Sequence, residues 1–167
     1  MCSFGLLFVS LCELLNLPLW NARKWPNQLM GESKHLTQMP DYKIHAKREE
    51  TVEVGNDNAI RFLGPEGPRV LSTPHMIGFM ERACRNLAIE MLDDGFDTVG
   101  THVNVSHCAA APMGASVTFS AELLGVNDRR MEFHVDARMG EKLVGEGTHQ
   151  RAIIDVRRFR QKVESQR

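Results

Sequence analysis

Apolar residues recur along the chain with two different periods, one typical of a helix and one typical of strands. Between residues 74 and 92 they recur at steps of three and four, which places them on one helical face. Those residues are Met76, Met80, Ala83, Cys84, Leu87 and Met91. Thr73 and Pro74 form a favourable start, with the threonine hydroxyl as cap. A helix from Pro74 to about Leu92 is therefore predicted, with Gly95 as its C-terminal cap.

Period-two alternation predicts strands on both sides of this helix. A short alternation at 51–54 precedes the helix, and longer segments follow it. The longer segments are 98–109, 115–126, 130–140 and 142–156. Their connections at 127–130 and 140–142 are of hairpin length, so the last strands should pair antiparallel as neighbours.

This order of elements predicts an α+β fold in which a curved antiparallel sheet wraps around one long central helix. In the strand at 130–140, alternation puts Met131, Phe133, Val135 and Ala137 on a single face toward that helix. One helix and one sheet leave an open edge and an uncovered face, and both favour pairing with a second copy. A homodimer is predicted, with a tetramer as a further assembly.

Composition fits a single globular domain that does not bind nucleic acid or membranes. The 167 residues are 43% hydrophobic and 25% charged, with a net charge of −1. The main basic run, "RRFRQK" near the C-terminus, is typical of a solvated terminal helix, because phosphate binding needs a concentrated basic face. The four cysteines show no CxxC spacing, and those at 84 and 108 are predicted to be buried reduced thiols of a cytoplasmic protein.

The first forty residues form a separate problem because "FGLLFVSLCELLNLPLW" is strongly apolar. No Lys or Arg precedes the run, and Glu13, Asn16 and Pro18 interrupt it, which disfavours an export signal or a membrane anchor. Residues 1–40 are interpreted as an N-terminal extension, with Met30 or Met39 as alternative start sites. The domain itself is predicted to span residues 41–167.

Three side chains are candidates for chemistry at the boundary between helix and sheet. Glu81 lies at the edge of the apolar helical face, where it either covers the core and pairs with Arg85 or acts as a catalytic carboxylate. In the strand that follows the helix, His107 shares a face with Val99, Thr101, Val103 and Val105, whereas Gly100 lies on the opposite face. A histidine on an apolar face is either a hydrogen-bonded core residue or a proton carrier.

Thr73, Gly100 and Thr101 complete the candidate set. The Thr73 hydroxyl at the mouth of the helix is either a plain cap or a ligand contact. A glycine at the start of a strand permits close approach of a ligand to the backbone, whose amides can bind an oxyanion. No nucleotide, serine-hydrolase or zinc-protease motif occurs, and the histidines do not cluster, so neither cofactor nor metal is predicted.

Three motifs together resemble one enzyme family. The segments "VLSTPHMIGFMERA", "TVGTHVNVSHCAAAPMG" and "GEGTHQRAIIDVRRF" are similar to those of hotdog-fold thioesterases, specifically the fluoroacetyl-CoA thioesterase-like subfamily, over roughly residues 45–163. The resemblance implies an acyl-CoA thioesterase with its site at a dimer interface. It also implies catalytic roles for Thr73, Glu81 and His107, a glycine near the thioester carbonyl at Gly100, and an arginine on the ligand side at Arg151.

The resemblance leaves the acyl group and some chemistry open. The segment "RFLGPEGPRVLST" is shorter than the aromatic lid of the fluoroacetyl-specific enzyme and has Phe62 as its one aromatic residue. A different short acyl group, or a general role on stray acyl-CoAs, is expected. Glu81 either attacks the thioester or activates water. A non-catalytic acyl-CoA binding protein and a hotdog hydratase are the alternatives, and the hydratase lacks its expected Asp beside the helix.

Overall fold

The structure, a computed structural model, describes residues 42–166. Two helices and five strands follow one another along this range. They are β1 (Lys47–Glu53), α1 (Thr73–Ile89), β2 (Phe96–His107), β3 (Ser116–Asn127), β4 (Arg130–Met139), β5 (Lys142–Asp155) and α2 (Val156–Glu164). The prediction for residues 1–40, with Cys2 and Cys12, lies outside the described residues. Within the described range, no helix has the length and apolar character needed to cross a membrane.

The five strands form one antiparallel sheet in the order β1-β3-β4-β5-β2. Tight turns join β3 to β4 and β4 to β5, so the predicted hairpins are confirmed. The shorter first strand pairs with β3 and therefore lies at one edge, while β2 pairs with β5 and forms the other edge. The α+β class predicted from the alternation is confirmed.

Helix α1 packs across the sheet with its apolar face inward. Every buried residue of the helix belongs to the predicted stripe or is adjacent to it. The facing side chains of β4 are fully buried, as the alternation predicts; they are Met131, Phe133, Val135 and Ala137. Burial of each large apolar side chain contributes roughly 1.5–3 kcal/mol, so this contact between helix and sheet is the main source of stability.

The start of α1 differs from the prediction by one residue, with a consequence for the site. Ser72, not Thr73, is the cap, because its backbone is extended and its hydroxyl accepts from the His75 amide. Thr73 is the first helical residue, and its hydroxyl faces β2. The helix also ends earlier than predicted, with Glu90 as the C-terminal cap. Gly95, at φ 86°, instead turns the chain into β2.

Two further predictions are wrong. The register of β2 against β5 shifts between Gly100 and His102, and this β-bulge inverts the alternation, so Gly100 lies on the helix side rather than opposite to it. Cys108 is exposed, because it follows the last residue of β2 where the strand leaves the core. Cys84 is buried as predicted, and burial raises the pKa of its thiol to about 12.

The C-terminal helix α2 is a solvated helix, as the basic run predicts. None of its residues is buried. Asp155 caps it by accepting a hydrogen bond from the amide of Arg158. Its arginines therefore carry no role in the core.

Candidate active site

The first part of the candidate site is a hydrogen-bonded pair formed by Thr73 and His107. The Thr73 hydroxyl lies 2.9 Å from Nδ1 of His107, which joins the first turn of α1 to the end of β2. The capping by Ser72 explains this contact, since the Thr73 hydroxyl is not needed at the helix terminus. The two residues predicted from separate motifs are brought together.

The imidazole of His107 is half-buried and neutral at physiological pH. Burial lowers its pKa below the ordinary histidine value, because the charged form loses solvation. Its Nε2 atom is buried and has no hydrogen-bond partner among the described residues. A neutral imidazole with one nitrogen fixed and the other unpartnered is suited to move a proton to or from a bound molecule.

The second part is an ion pair between Glu81 and Arg151. Oε1 of Glu81 lies 3.1 Å from Nη1 of Arg151, and the side chains are 44% and 2% exposed respectively. Glu81 is therefore half-buried at the edge of the core, as the periodicity predicts. The alternative pairing with Arg85 does not occur, because Arg85 binds Asp97 instead. Glu81 thus faces the sheet and is held there by a buried cation.

Buried polar partners hold the Arg151 guanidinium from several sides. Its Nε donates to the Thr98 hydroxyl at 2.7 Å and its Nη2 donates to the Thr98 carbonyl at 2.8 Å. Nη1 also lies 3.1 Å from Nε2 of His149. A buried cation needs such partners, since desolvation is costly. Arg151 therefore contacts protein groups, and its link to a ligand passes through Glu81.

Gly100 lies directly beneath the carboxylate of Glu81. A Cβ atom at this position would stand 2.9 Å from Oε1 of Glu81 and 3.2 Å from Cε1 of His149. The position therefore has room only for hydrogen while Glu81 occupies it. Thr101 is the extra residue of the bulge, and its hydroxyl donates to the Gln150 carbonyl across the ladder.

The two parts of the site are separate within one chain. Thr73 and Glu81 are eight residues apart on one helix, which corresponds to about 12 Å along its axis. Helix α1 runs antiparallel to β2, so Thr73 meets His107 at one end while Glu81 meets Gly100 toward the other. Within one chain, the Thr73–His107 pair and the Glu81–Arg151 pair are therefore two separate clusters.

Sequence reasoning missed two residues of this constellation. The sequence motifs assign no role to His149 and place Thr98 only at the start of a strand, yet both residues bind Arg151. The signal available was the alternation in "GTHQRAII", which places His149, Arg151 and Ile153 on the same side of one strand. Among the described residues, no group of three His, Cys, Asp or Glu side chains converges as metal ligands would.

The antiparallel sheet around one long helix is the hotdog fold, and comparison with known proteins places the chain among hotdog-fold thioesterases. The family model described as "Fluoroacetyl-CoA-specific thioesterase" matches residues 54–157. The chain is also 40% identical over 110 residues to the fluoroacetyl-CoA thioesterase of Streptantibioticus cattleyicolor. The matched region covers 62% of this chain and 79% of that protein. The chain belongs to the fluoroacetyl-CoA-specific thioesterase family.

Solved structures support the same placement. A structure of the fluoroacetyl-CoA thioesterase FlK is 34% identical, with a TM-score of 0.69, and the match covers 75% of this chain and 98% of that chain. A thioesterase superfamily member from Thermus thermophilus is 26% identical, with a TM-score of 0.65 over 76% and 99% of the two chains. A hot-dog-like protein from Thermanaerovibrio acidaminovorans, at 19% identity, a TM-score of 0.69 and coverage of 75% and 93%, shares the fold.

Proposed function

We propose that this protein hydrolyses a short-chain acyl-CoA thioester to the free acid and CoA, with Thr73, Glu81 and His107 as its catalytic residues. The observation that carries the proposal is the half-exposed carboxylate of Glu81, fixed by buried Arg151 directly over Gly100. A carboxylate held in contact with a strand glycine is placed to meet a thioester carbonyl that docks beside it against the strand backbone. Family membership supplies the reaction class.

We further propose that the site is completed by a second copy of the chain. The charged strand β1, "KREETVE", is a poor edge for pairing, whereas β2 has no charged residue between Thr98 and His107. Antiparallel pairing of two β2 strands about Asn104, with Thr101 as the extra residue of the bulge, would set Gly100 opposite His107 of the partner subunit on the same face of the sheet. Each dimer would then contain two complete sites.

Each side chain has a distinct role in this composite site. Glu81 attacks the thioester carbonyl or takes a proton from the attacking water, and Arg151 orients the carboxylate through its contact at 3.1 Å. Backbone amides in the bulge at Gly100 and Thr101 are the candidate donors to the oxyanion. His107, with Thr73 fixing Nδ1, uses its unpartnered Nε2 to take up the proton released by the attacking water and to pass it to the departing CoA thiolate, which returns the imidazole to its neutral form.

The acyl group is expected to be short, and the segment between β1 and α1 supports a substrate other than fluoroacetyl-CoA. This segment is held at its base by Asn58, which bonds Gly55 and Glu53, and by a bridge between Ala59 and Leu71. Phe62 at its tip is 81% exposed. With one aromatic residue here, the segment supplies little apolar surface for selecting a fluorinated acyl group.

A mixed-dimer experiment tests both the residues and the composite site. Glu81→Gln and His107→Ala homodimers should each release little thiol from a panel of short, branched and aromatic acyl-CoAs. If the two halves come from different subunits, subunit exchange between the variants creates one intact site per heterodimer. Random exchange should therefore restore about a quarter of the wild-type activity. The single variant Cys108→Ser, which changes an exposed residue beside His107, is the control and should keep wild-type activity.

Three results would contradict the proposal. Absence of thiol release by wild-type protein across the panel would remove the hydrolytic function for these substrates. Full activity in either single variant would remove that residue from the catalytic set. Active wild-type protein whose two variants exchange subunits without recovery would place each site within one protomer. Single-turnover hydrolysis in H₂¹⁸O then separates the two routes. Direct attack forms an anhydride with Glu81, and water that hydrolyses it at the Glu81 carbonyl leaves ¹⁸O in Glu81, whereas activated water puts ¹⁸O only in the released acid.

A further inference from the structure

We propose that His149 is a positioning residue for the catalytic carboxylate, acting through Arg151 as a neutral imidazole with its proton on Nδ1. The inference rests on the proposed catalytic role of Glu81. The proposal assigns a function to a histidine that contacts Arg151, the partner of the Glu81 carboxylate. His149 is 2% exposed, in the middle of β5 and beneath α1.

The tautomer of His149 follows from its two neighbours. Nδ1 lies 2.8 Å from the carbonyl oxygen of His102, and a carbonyl only accepts, so Nδ1 carries the proton. Nε2 lies 3.1 Å from Nη1 of Arg151, and a guanidinium only donates, so Nε2 presents its lone pair. Both ring nitrogens are satisfied only in the neutral Nδ1–H form.

The bulge in β2 makes this arrangement possible. The register shift between Gly100 and His102 redirects the backbone at this point, and the His102 carbonyl points to the imidazole. The same bulge turns Gly100 toward Glu81, where the missing side chain leaves space for both the carboxylate and the imidazole. One backbone irregularity therefore fixes the tautomer of His149 and clears the space above Gly100.

The lone pair of His149 determines where Arg151 directs its remaining hydrogens. Nη1 has two hydrogens: His149 accepts one, and the other is shared by Oε1 of Glu81 at 3.1 Å and the Glu81 backbone carbonyl at 3.4 Å. Thr98 binds Nε and Nη2, so the guanidinium plane is fixed on both sides. Without an acceptor at position 149, Nη1 would keep only its two contacts with Glu81, and the Glu81 carboxylate would lose its fixed orientation.

Charge around the imidazole favours the neutral form. Burial is the main cause that lowers the pKa of His149, and the nearby Arg151 lowers it further, while Glu81 and the His102 carbonyl act in the opposite direction. The charged and titratable groups facing the imidazole are Arg151 on its own strand, Glu81 on α1 and His102 on β2. Protonation would direct an N–H at the guanidinium and break the contact.

Two substitutions separate positioning from a merely structural role. His149→Gln keeps an acceptor oxygen for Arg151, whereas His149→Leu keeps the volume and removes it. We expect His149→Leu to lower kcat by about tenfold to a hundredfold with little change in KM, and His149→Gln to stay within about threefold of wild type. The glutamine variant should also lose less activity on the acid side, because its acceptor does not titrate. His134→Gln and His134→Leu, on the neighbouring strand, are the matched controls.

A spectroscopic measurement on the wild-type protein tests the geometry without relying on turnover. The ¹⁵N chemical shifts of the His149 ring should show the Nδ1–H tautomer, and an Nε2–H tautomer would overturn the proposal even if the leucine variant fails to fold. Equal kcat in the leucine variant and wild type, or equal losses in both His149 variants, would also overturn it. Wild-type protein without thioesterase activity would refute the proposed function, while the NMR result would still decide the tautomer.

Discussion

Adding a single methyl group at Gly100 should inactivate the enzyme while leaving its fold intact. The Cβ of Gly100→Ala would stand 2.9 Å from Oε1 of Glu81, whereas ordinary contact begins near 3.4 Å. The imidazole of His149, 3.2 Å away, is held at both nitrogens and cannot yield freely. The Glu81 side chain is flexible and half-exposed, so its carboxylate is the group that moves. The carboxylate should therefore retreat by about 0.5 Å or more, away from its partner Arg151.

The expected effects on stability and on rate differ strongly in size. Overpacking costs about 1–3 kcal/mol, and replacing glycine recovers about 0.4–1 kcal/mol by restricting the unfolded chain. A net loss of about 1 kcal/mol corresponds to a few degrees in Tm. A displaced catalytic group typically costs about 100-fold in rate. We therefore expect kcat/KM for the best acyl-CoA substrate to fall by about two orders of magnitude.

Thiol release and thermal unfolding on the same preparations measure both quantities. Gly125→Ala is the matched control, because it adds the same methyl group at another strand irregularity, in β3, where no atom lies within 4 Å. The control should keep wild-type kcat/KM. If Gly100→Ala retains more than about a third of the wild-type kcat/KM, the close approach of strand and carboxylate is not required for the reaction. An equal loss in both variants would attribute the effect to backbone stiffening.

Three further predictions follow from the described residues. Gly78→Ala, in an exposed helix position with open space, should raise the free energy of unfolding in urea by about 0.5–1 kcal/mol, and a decrease would contradict this. Because the pKa values of His107 and His149 are lowered in the folded state, the unfolded chain takes up protons first as pH falls below about 6.5. Urea titrations should therefore show a free energy of unfolding that decreases below that pH, whereas above it these two histidines have no effect on stability. The decrease should be smaller in His149→Gln. Iodoacetamide should label Cys108 and spare Cys84 in native protein, as peptide mass mapping would show, and early labelling of Cys84 would contradict its burial.

The fold could be predicted from the chain because its two periods are clean. The helical stripe of α1 matches the buried residues as far as Leu87, with Met91 partly buried beyond the end of the helix, and the alternation of β4 matches throughout. The hairpins have short polar connections that allow only neighbouring antiparallel strands. These features depend on residues close together in sequence, which is where periodicity is informative.

The site could be predicted only in part, because its geometry depends on two local departures from regular structure. Strict alternation places Gly100 and His107 on different faces of the sheet, whereas the bulge brings them to the same face. Thr73 is a residue type that often caps helices, but Ser72 is the cap here. The Thr73 hydroxyl is therefore available to contact His107. Neither departure is visible in a single sequence, since both depend on competition between adjacent residues that tertiary contacts decide.

The pairing of Arg151 with Glu81 illustrates a different difficulty. Arg151 is seventy residues from Glu81 in sequence, and its burial in an apolar strand conflicts with the usual position of arginine at the surface. Such a conflict signals a functional constraint, since a buried cation is retained only where partners compensate for its lost solvation. His149, two residues earlier on the same face, is one of those partners. The informative pattern in "GTHQRAII" is therefore the pair of polar residues on an otherwise inward face.

Strand β2 combines two properties that a central strand could not combine. As an edge strand of the described sheet, it can contain a bulge without disrupting ladders on both sides, and its uncharged outer edge stays available for a second copy. The bulge fixes Gly100 and His102 around Glu81 and His149, whereas the regular end of the strand carries His107 to Thr73. In the dimer that we propose, antiparallel pairing joins unlike halves, because these two regions lie at opposite ends of one strand. A parallel arrangement would join like halves and leave every carboxylate without its histidine.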